Sequence, residues 1–146
     1  MTVKRAVTAL GAMLAAFGLG VVPVNASNGV VPNTADVVCN SVVQLPAQDG
    51  STVGLPGRNG STDCFLAKGD FSDAVGALQA GLRFCNLRAS IAVDNDFGPQ
   101  TKAAVVAFQN AHHPPLTVDG IYGNQTRNTM FWPDNDTLHC TKPTHF

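Results

Sequence analysis

Residues 91–102 recur 25 positions later as residues 116–127, and that repeat constrains the fold more than any other feature of the chain. Ile91-Ala92-Val93-Asp94-Asn95-Asp96-Phe97-Gly98-Pro99-Gln100-Thr101-Lys102 aligns with Leu116-Thr117-Val118-Asp119-Gly120-Ile121-Tyr122-Gly123-Asn124-Gln125-Thr126-Arg127. Five of these twelve pairs are identical and three are conservative, so two copies of one supersecondary unit are the economical reading. In each copy a polar loop leads into a segment with helical patterning.

The chemistry of each position suggests its task. Val93 and Val118 are expected to enter the core, and the Asp that follows each (Asp94, Asp119) to accept hydrogen bonds from loop amides. Asn95 and Gly120 occupy equivalent places, and these two residue types best tolerate positive φ, so a left-handed backbone is expected in both loops. Phe97 and Tyr122 supply an aromatic, Gly98 and Gly123 relieve crowding, and Thr101 and Thr126 enter the first helical turn.

Three helices follow from periodicity and punctuation. Val75, Leu78, Leu82 and Cys85 share one face and predict a helix over residues 72–84, with Ser72 or Asp73 capping its start. Gly76 and Gly81 weaken that helix by up to roughly 1 kcal/mol each, so packing must hold it. Thr101, Ala104, Val105 and Phe108 share a face of a helix over residues 99–111, which opens with Pro99 and stops before Pro114-Pro115. Phe108 is expected at the centre of the core. A third helix of about two turns over residues 124–130 ends before Pro133.

Residues 1–26 read as a Sec-type signal peptide, with Lys4 and Arg5 ahead of an apolar run and Ala26 at the expected cleavage site. Glycines at positions 11, 18 and 20 and the small residues at its end favour cleavage over a membrane anchor. The mature chain then carries seven basic against ten acidic residues, a net charge of −3, which speaks against nucleic acid as a partner. Residues 27–69 are rich in Ser, Asn, Gly, Pro and Thr, and are expected to be irregular with room for a hairpin, lying over the domain that follows.

Four cysteines in an exported chain of this size imply two disulfides. Of the three connectivities, Cys39–Cys64 and Cys85–Cys140 are expected: the first staples the extension, the second joins the end of helix 1 to the tail. Zinc is disfavoured because no CxxC, HxxxH or HExxH spacing occurs.

Together the motifs resemble the peptidoglycan-binding domain family found in bacterial cell-wall hydrolases, whose pattern is AVxxLQxxL, then DGxFGxxTxxAVxxFQ, then a second DGxxGxxT. Here those elements stand at residues 74–82, 94–109 and 119–126. Asn95 departs from the usual Gly, and Cys85 resembles the disulfide-containing secreted members. The resemblance implies an all-α, three-helix fold over residues 70–146, including a C-terminal tail, and binding to the glycan or stem peptide of peptidoglycan.

No catalytic constellation is evident. Residues 27–69 hold neither His nor Glu, and the adjacent His112-His113 point in different directions on a helix. Asp94-Asn95-Asp96 resembles a calcium loop only in part, because the chain contains no Glu to complete one. No metal or cofactor is expected. The expected function is noncatalytic peptidoglycan binding by a secreted or wall-associated monomer, with no membrane contact after signal cleavage. A secreted protein-interaction or inhibitor module is the alternative, and a minimal wall hydrolase the third reading.

The ligand is expected where the two loops and the starts of helices 2 and 3 come together. The side chains flanking the structural Asp and Gly residues are the candidate contacts: Asn95, Asp96, Gln100, Ile121, Tyr122, Asn124, Gln125 and Arg127. Gln125 and Arg127 are expected on the surface. Tyr122 has two readings, a stacking face for the ligand or a core aromatic like Phe97.

Overall fold

The computed structural model describes residues 37–146; the signal peptide expected over residues 1–26 and the start of the extension lie outside the described residues. Strand β1 (Ser41–Pro46) pairs antiparallel with β2 (Thr52–Gly57), in register from Ser41 opposite Gly57 to Pro46 opposite Thr52. Helix α1 (Asp73–Ala80) runs without a break into a wider π-helical segment, Gly81–Asn86. Helices α2 (Pro99–Ala111) and α3 (Asn124–Thr129) follow. A short antiparallel ribbon of β3 (Trp132–Pro133) and β4 (Cys140–Thr141) completes the order.

The all-α expectation is therefore corrected: two two-stranded antiparallel sheets flank the helices. The hairpin is held by burial. Val53 and Leu55 are fully buried on one side of β2, and the hairpin packs against α1. Gly54, Pro56 and Gly57 interrupt the Val/Leu alternation and hide the strand from composition. Asp134 bridges Val53, and Pro143 bridges Ala47, so the tail ribbon extends the hairpin edge.

The glycines of helix 1 answer to packing. A Cβ on Gly81 would stand 3.0 Å from the Met130 side chain and 3.1 Å from the Trp132 ring. The wider turn there is latched by Asn86, whose amide donates to the Gly81 and Phe131 carbonyls while its carbonyl accepts from the Phe131 N–H. Ser72 does begin α1, but its hydroxyl bonds the Cys39 carbonyl rather than capping the helix.

One core unites the parts: Cys39, Val53 and Leu55 from the extension, Val75, Leu78 and Leu82 from helix 1, Val105 and Phe108 from α2, and Trp132 from the ribbon. The bridges are Cys39–Cys64 and Cys85–Cys140, the pairs named above. Val93 and Val118 do not enter this core; they are 44% and 37% exposed, and Ile91 and Leu116, two positions earlier, are buried in their place. The loops turn inward before the Asp, so the valine falls on the outer side. Among the described residues no helix is long and apolar enough to cross a membrane.

Candidate functional site

Two buried glutamines organise the repeat. Gln79, near the end of α1, donates from Nε2 to Asp94 Oδ1 (2.8 Å), the Asp96 carbonyl (2.9 Å) and Thr101 Oγ1 (3.0 Å). Its Oε1 accepts the amides of Asp94 and Asn95, both at 3.0 Å. Gln109, near the end of α2, does the same for the second loop. It donates to Asp119 Oδ1 (2.9 Å), the Ile121 carbonyl (2.9 Å) and Thr126 Oγ1 (3.3 Å). It accepts from the amides of Asp119 (3.2 Å) and Gly120 (2.9 Å). Each helix thus clamps the loop that follows it, through one amide with all its groups engaged.

The local conformation follows from the clamp. Presenting two successive amides to one oxygen requires a left-handed residue, and Asn95 and Gly120 have φ of 66° and 74°. Asp94 and Asp119 then fasten their loops by accepting the amides of Asp96 (3.1 Å) and Ile121 (2.8 Å). The Gln79 bond, followed by the Asp96 amide, holds the Asp94 carboxyl below the ordinary carboxylate range. Gly98 and Gly123 relieve no crowding, since a Cβ at either would meet nothing closer than 3.7 Å. They precede α2 and α3 in extended conformation, with no side-chain cap on either helix.

The loops frame two cavities rather than one shared groove. The first, about 340 Å³, is lined by Gln79, Ile91, Asp94, Asp96, Gly98 and Gln100, among others. The second, about 460 Å³, is lined by Gln109, Ile121, Gly123, Asn124 and Gln125, with Cys64 and Phe65 contributed by the extension. Of the candidate contacts, Asp96 and Gln100 fall in the first, and Ile121, Asn124 and Gln125 in the second. The Asn124 Oδ1 has no protein partner. Asn95 lines neither, because its amide turns to Asp73 Oδ1 at 3.3 Å.

Tyr122 takes the second of its two readings, a core aromatic, and Arg127 is a correction to its expected surface position. Tyr122 is fully buried, edge-on to Trp132 with ring centroids 6.2 Å apart, and burial pushes its phenol pKa up. Its main chain pairs with Leu66 in both directions at 2.9 Å, so the extension covers it. Arg127 is 4% exposed and donates to the Thr62 carbonyl (2.7 Å), the Thr62 hydroxyl (3.0 Å) and Asp63 Oδ1 (2.8 Å). Neither is placed to meet a ligand; both fasten the extension over the second loop. Phe65 and Cys64 were missed as cavity residues, and nothing in their local sequence marks them, since only the Leu66–Tyr122 pairing brings them there.

Comparison with known proteins agrees with this architecture. The family model described as "Putative peptidoglycan binding domain" matches residues 71–130. Over 82 residues the chain is 39% identical to the zinc D-Ala-D-Ala carboxypeptidase of Streptomyces albus G, an overlap of 56% of this chain. The chain spans 30% of the length of that curated relative. All three helices and both clamped loops lie inside residues 71–130, the segment that the peptidoglycan-binding model matches.

Proposed function

We propose that the protein is a secreted, noncatalytic peptidoglycan-binding protein that acts as a monomer and holds its ligand in the second cavity. The observation that carries the reading is the match of residues 71–130 to a wall-binding family, combined with a preformed cavity on its second loop. That cavity joins apolar surface from Ile121 and Phe65 to polar groups from Asn124 and Gln125, the mixture expected for a ligand bearing methyl and amide or hydroxyl groups. The two disulfides fit an oxidising compartment outside the cytoplasm. The first cavity, with Asp96 and Gln100, is the secondary candidate.

Cosedimentation with purified sacculi tests the proposal, with soluble muropeptides assayed in the same supernatant. The parent is expected to pellet with sacculi and release no muropeptides. Gln125→Ala and Ile121→Ala, both at exposed positions, are expected to weaken pelleting with little change in melting temperature. Parent protein left in the supernatant refutes wall binding, and muropeptide release refutes the noncatalytic reading. Variants that pellet like the parent move the ligand out of the second cavity.

A further inference from the structure

Away from both cavities, the tip of the β1–β2 hairpin meets the turn between β3 and β4. The main chain fixes the meeting: the Gln48 N–H donates to the Lys142 carbonyl at 2.9 Å, and the Asn135 N–H to the Thr52 carbonyl at 3.1 Å. Three side chains with metal-ligating atoms converge there. Asp49 comes from the hairpin tip, and Asp134 and His139 from the other turn, with one ligating atom of each within 4.8 Å of the others.

The spacing suits a metal better than an ion pair. Asp49 Oδ2 stands 3.4 Å from His139 Nδ1. A charge-assisted N–H···O bond settles at about 2.7–2.9 Å. Two ligands about 2.0–2.1 Å from a tetrahedral zinc ion stand about 3.3–3.4 Å apart.

Asp49 is also anchored through one oxygen and open at the other, and the buried Asp134 is anchored through Oδ1 with a single hydrogen bond on Oδ2. Asp49 Oδ1 accepts the Ser51 amide (3.0 Å) and hydroxyl (2.6 Å), which leaves Oδ2 facing His139. Asp134 Oδ1 accepts the amides of Asp136 and Thr137, whereas Oδ2 accepts only the Thr137 hydroxyl (2.7 Å). Such anchoring is how outer contacts orient metal ligands. Among the described residues no Lys or Arg forms an ion pair with either carboxylate. The His139 side chain is 69% exposed, which leaves water access for a fourth ligand.

We propose that Asp49, Asp134 and His139 bind a divalent transition-metal ion, Zn²⁺ by the mixed nitrogen and oxygen donor set, that clips the hairpin tip to the β3–β4 turn. Imidazole with carboxylate suits zinc, whereas Ca²⁺ demands six to eight oxygens, more than these turns supply.

Titration calorimetry of ZnCl₂ into the EDTA-treated, desalted, disulfide-bonded chain tests this, with parallel thermal melts. One bound equivalent and a raised melting temperature are expected, with no comparable response to CaCl₂. His139→Ala and Asp49→Asn should each weaken zinc binding by roughly tenfold or more and abolish the zinc-dependent rise in melting temperature. Both keep the turns' own hydrogen bonds, so their metal-free melts should match the parent. The His112→Ala/His113→Ala double variant should bind zinc as the parent does, which separates this site from adventitious histidine binding. Absence of zinc binding by the parent overturns the proposal, as does undiminished binding by His139→Ala or an equal affinity for calcium.

Discussion

Replacing Gln79 by Leu tests whether the glutamine clamp, rather than apolar packing alone, holds the first loop. The side chain is 1% exposed and its amide makes five hydrogen bonds. Leu keeps the approximate volume and burial, so the lost stability is that of the orphaned partners. The Thr101 hydroxyl retains the Asp96 carbonyl at 3.3 Å, but the amides of Asp94 and Asn95 lose their shared acceptor. An unpaired buried donor costs about 1–3 kcal/mol, giving about 2–6 kcal/mol for two. Asp94 is exposed and water can reach its side of the loop, which places the expected loss in the lower part, about 2–4 kcal/mol. At this chain length that is a fall in Tm of roughly 10–20 °C. Calorimetric melts of Gln79→Leu and the equivalent Gln109→Leu, with the exposed Gln125→Ala as control, measure it. A Gln79→Leu melt within about 2 °C of the parent would show that the loop is held by Phe97 and Ile91 packing and that the clamp is incidental.

Arg127→Ala is expected to lower stability by about 2 kcal/mol in urea titrations, because it orphans the Thr62 carbonyl while the half-exposed Asp63 regains water. Phe108→Ala should cost about 3–5 kcal/mol through the cavity it leaves, and the exposed Val93→Ala less than about 0.5 kcal/mol, both read from the same titrations. Asp94 and Asp134 have folded pKa values below the ordinary 3.8. Their contribution is fully present above that value and is lost as pH falls through the folded values. Melting temperature should therefore hold steady down to about pH 4 and fall below it, and Asp94→Asn should flatten the acid limb.

The helical half of the molecule was legible because its signals are local. Pro99 at a first turn, the doubled proline at 114–115 and the spacing of Val75, Leu78 and Leu82 place elements without reference to the rest of the chain. The left-handed positions were legible for the same reason, since Asn95 and Gly120 in equivalent places leave few other conformations. The strands were not. β2 carries two glycines and a proline in six residues, and it is a strand because Val53 and Leu55 find a core made by helix 1. Both glutamines stand in the family motifs, but their role as clamps was not legible, because aligning loop on loop uses an offset of 25 residues, whereas Gln79 and Gln109 stand 30 apart and belong to the helices before each loop.

Apart from the identical Gln100 and Gln125, the candidate contacts differ between the copies, on the premise that shared residues build the fold and divergent ones meet the ligand. Shared residues did build it: Asp, Thr and the preceding Gln recur in the same bonds. Divergence has a second cause, however, which is that different parts of the preceding chain cover the two loops: Gly69 and Asp70 pair with Phe97, and Leu66 with Tyr122. Phe97 and Tyr122 are both fully buried, but Tyr122 bridges Leu66 and packs on Trp132. Lys102 is exposed, and its counterpart Arg127 is buried against Thr62 and Asp63. A planar guanidinium can satisfy a carbonyl, a hydroxyl and a carboxylate at once, which explains Arg there where the first copy has Lys. The same covering segment delivers Cys64 and Phe65 to the wall of the second cavity. The extension therefore shapes the larger of the two loop cavities as well as completing the core, and the Cys39–Cys64 bridge fixes that wall in place.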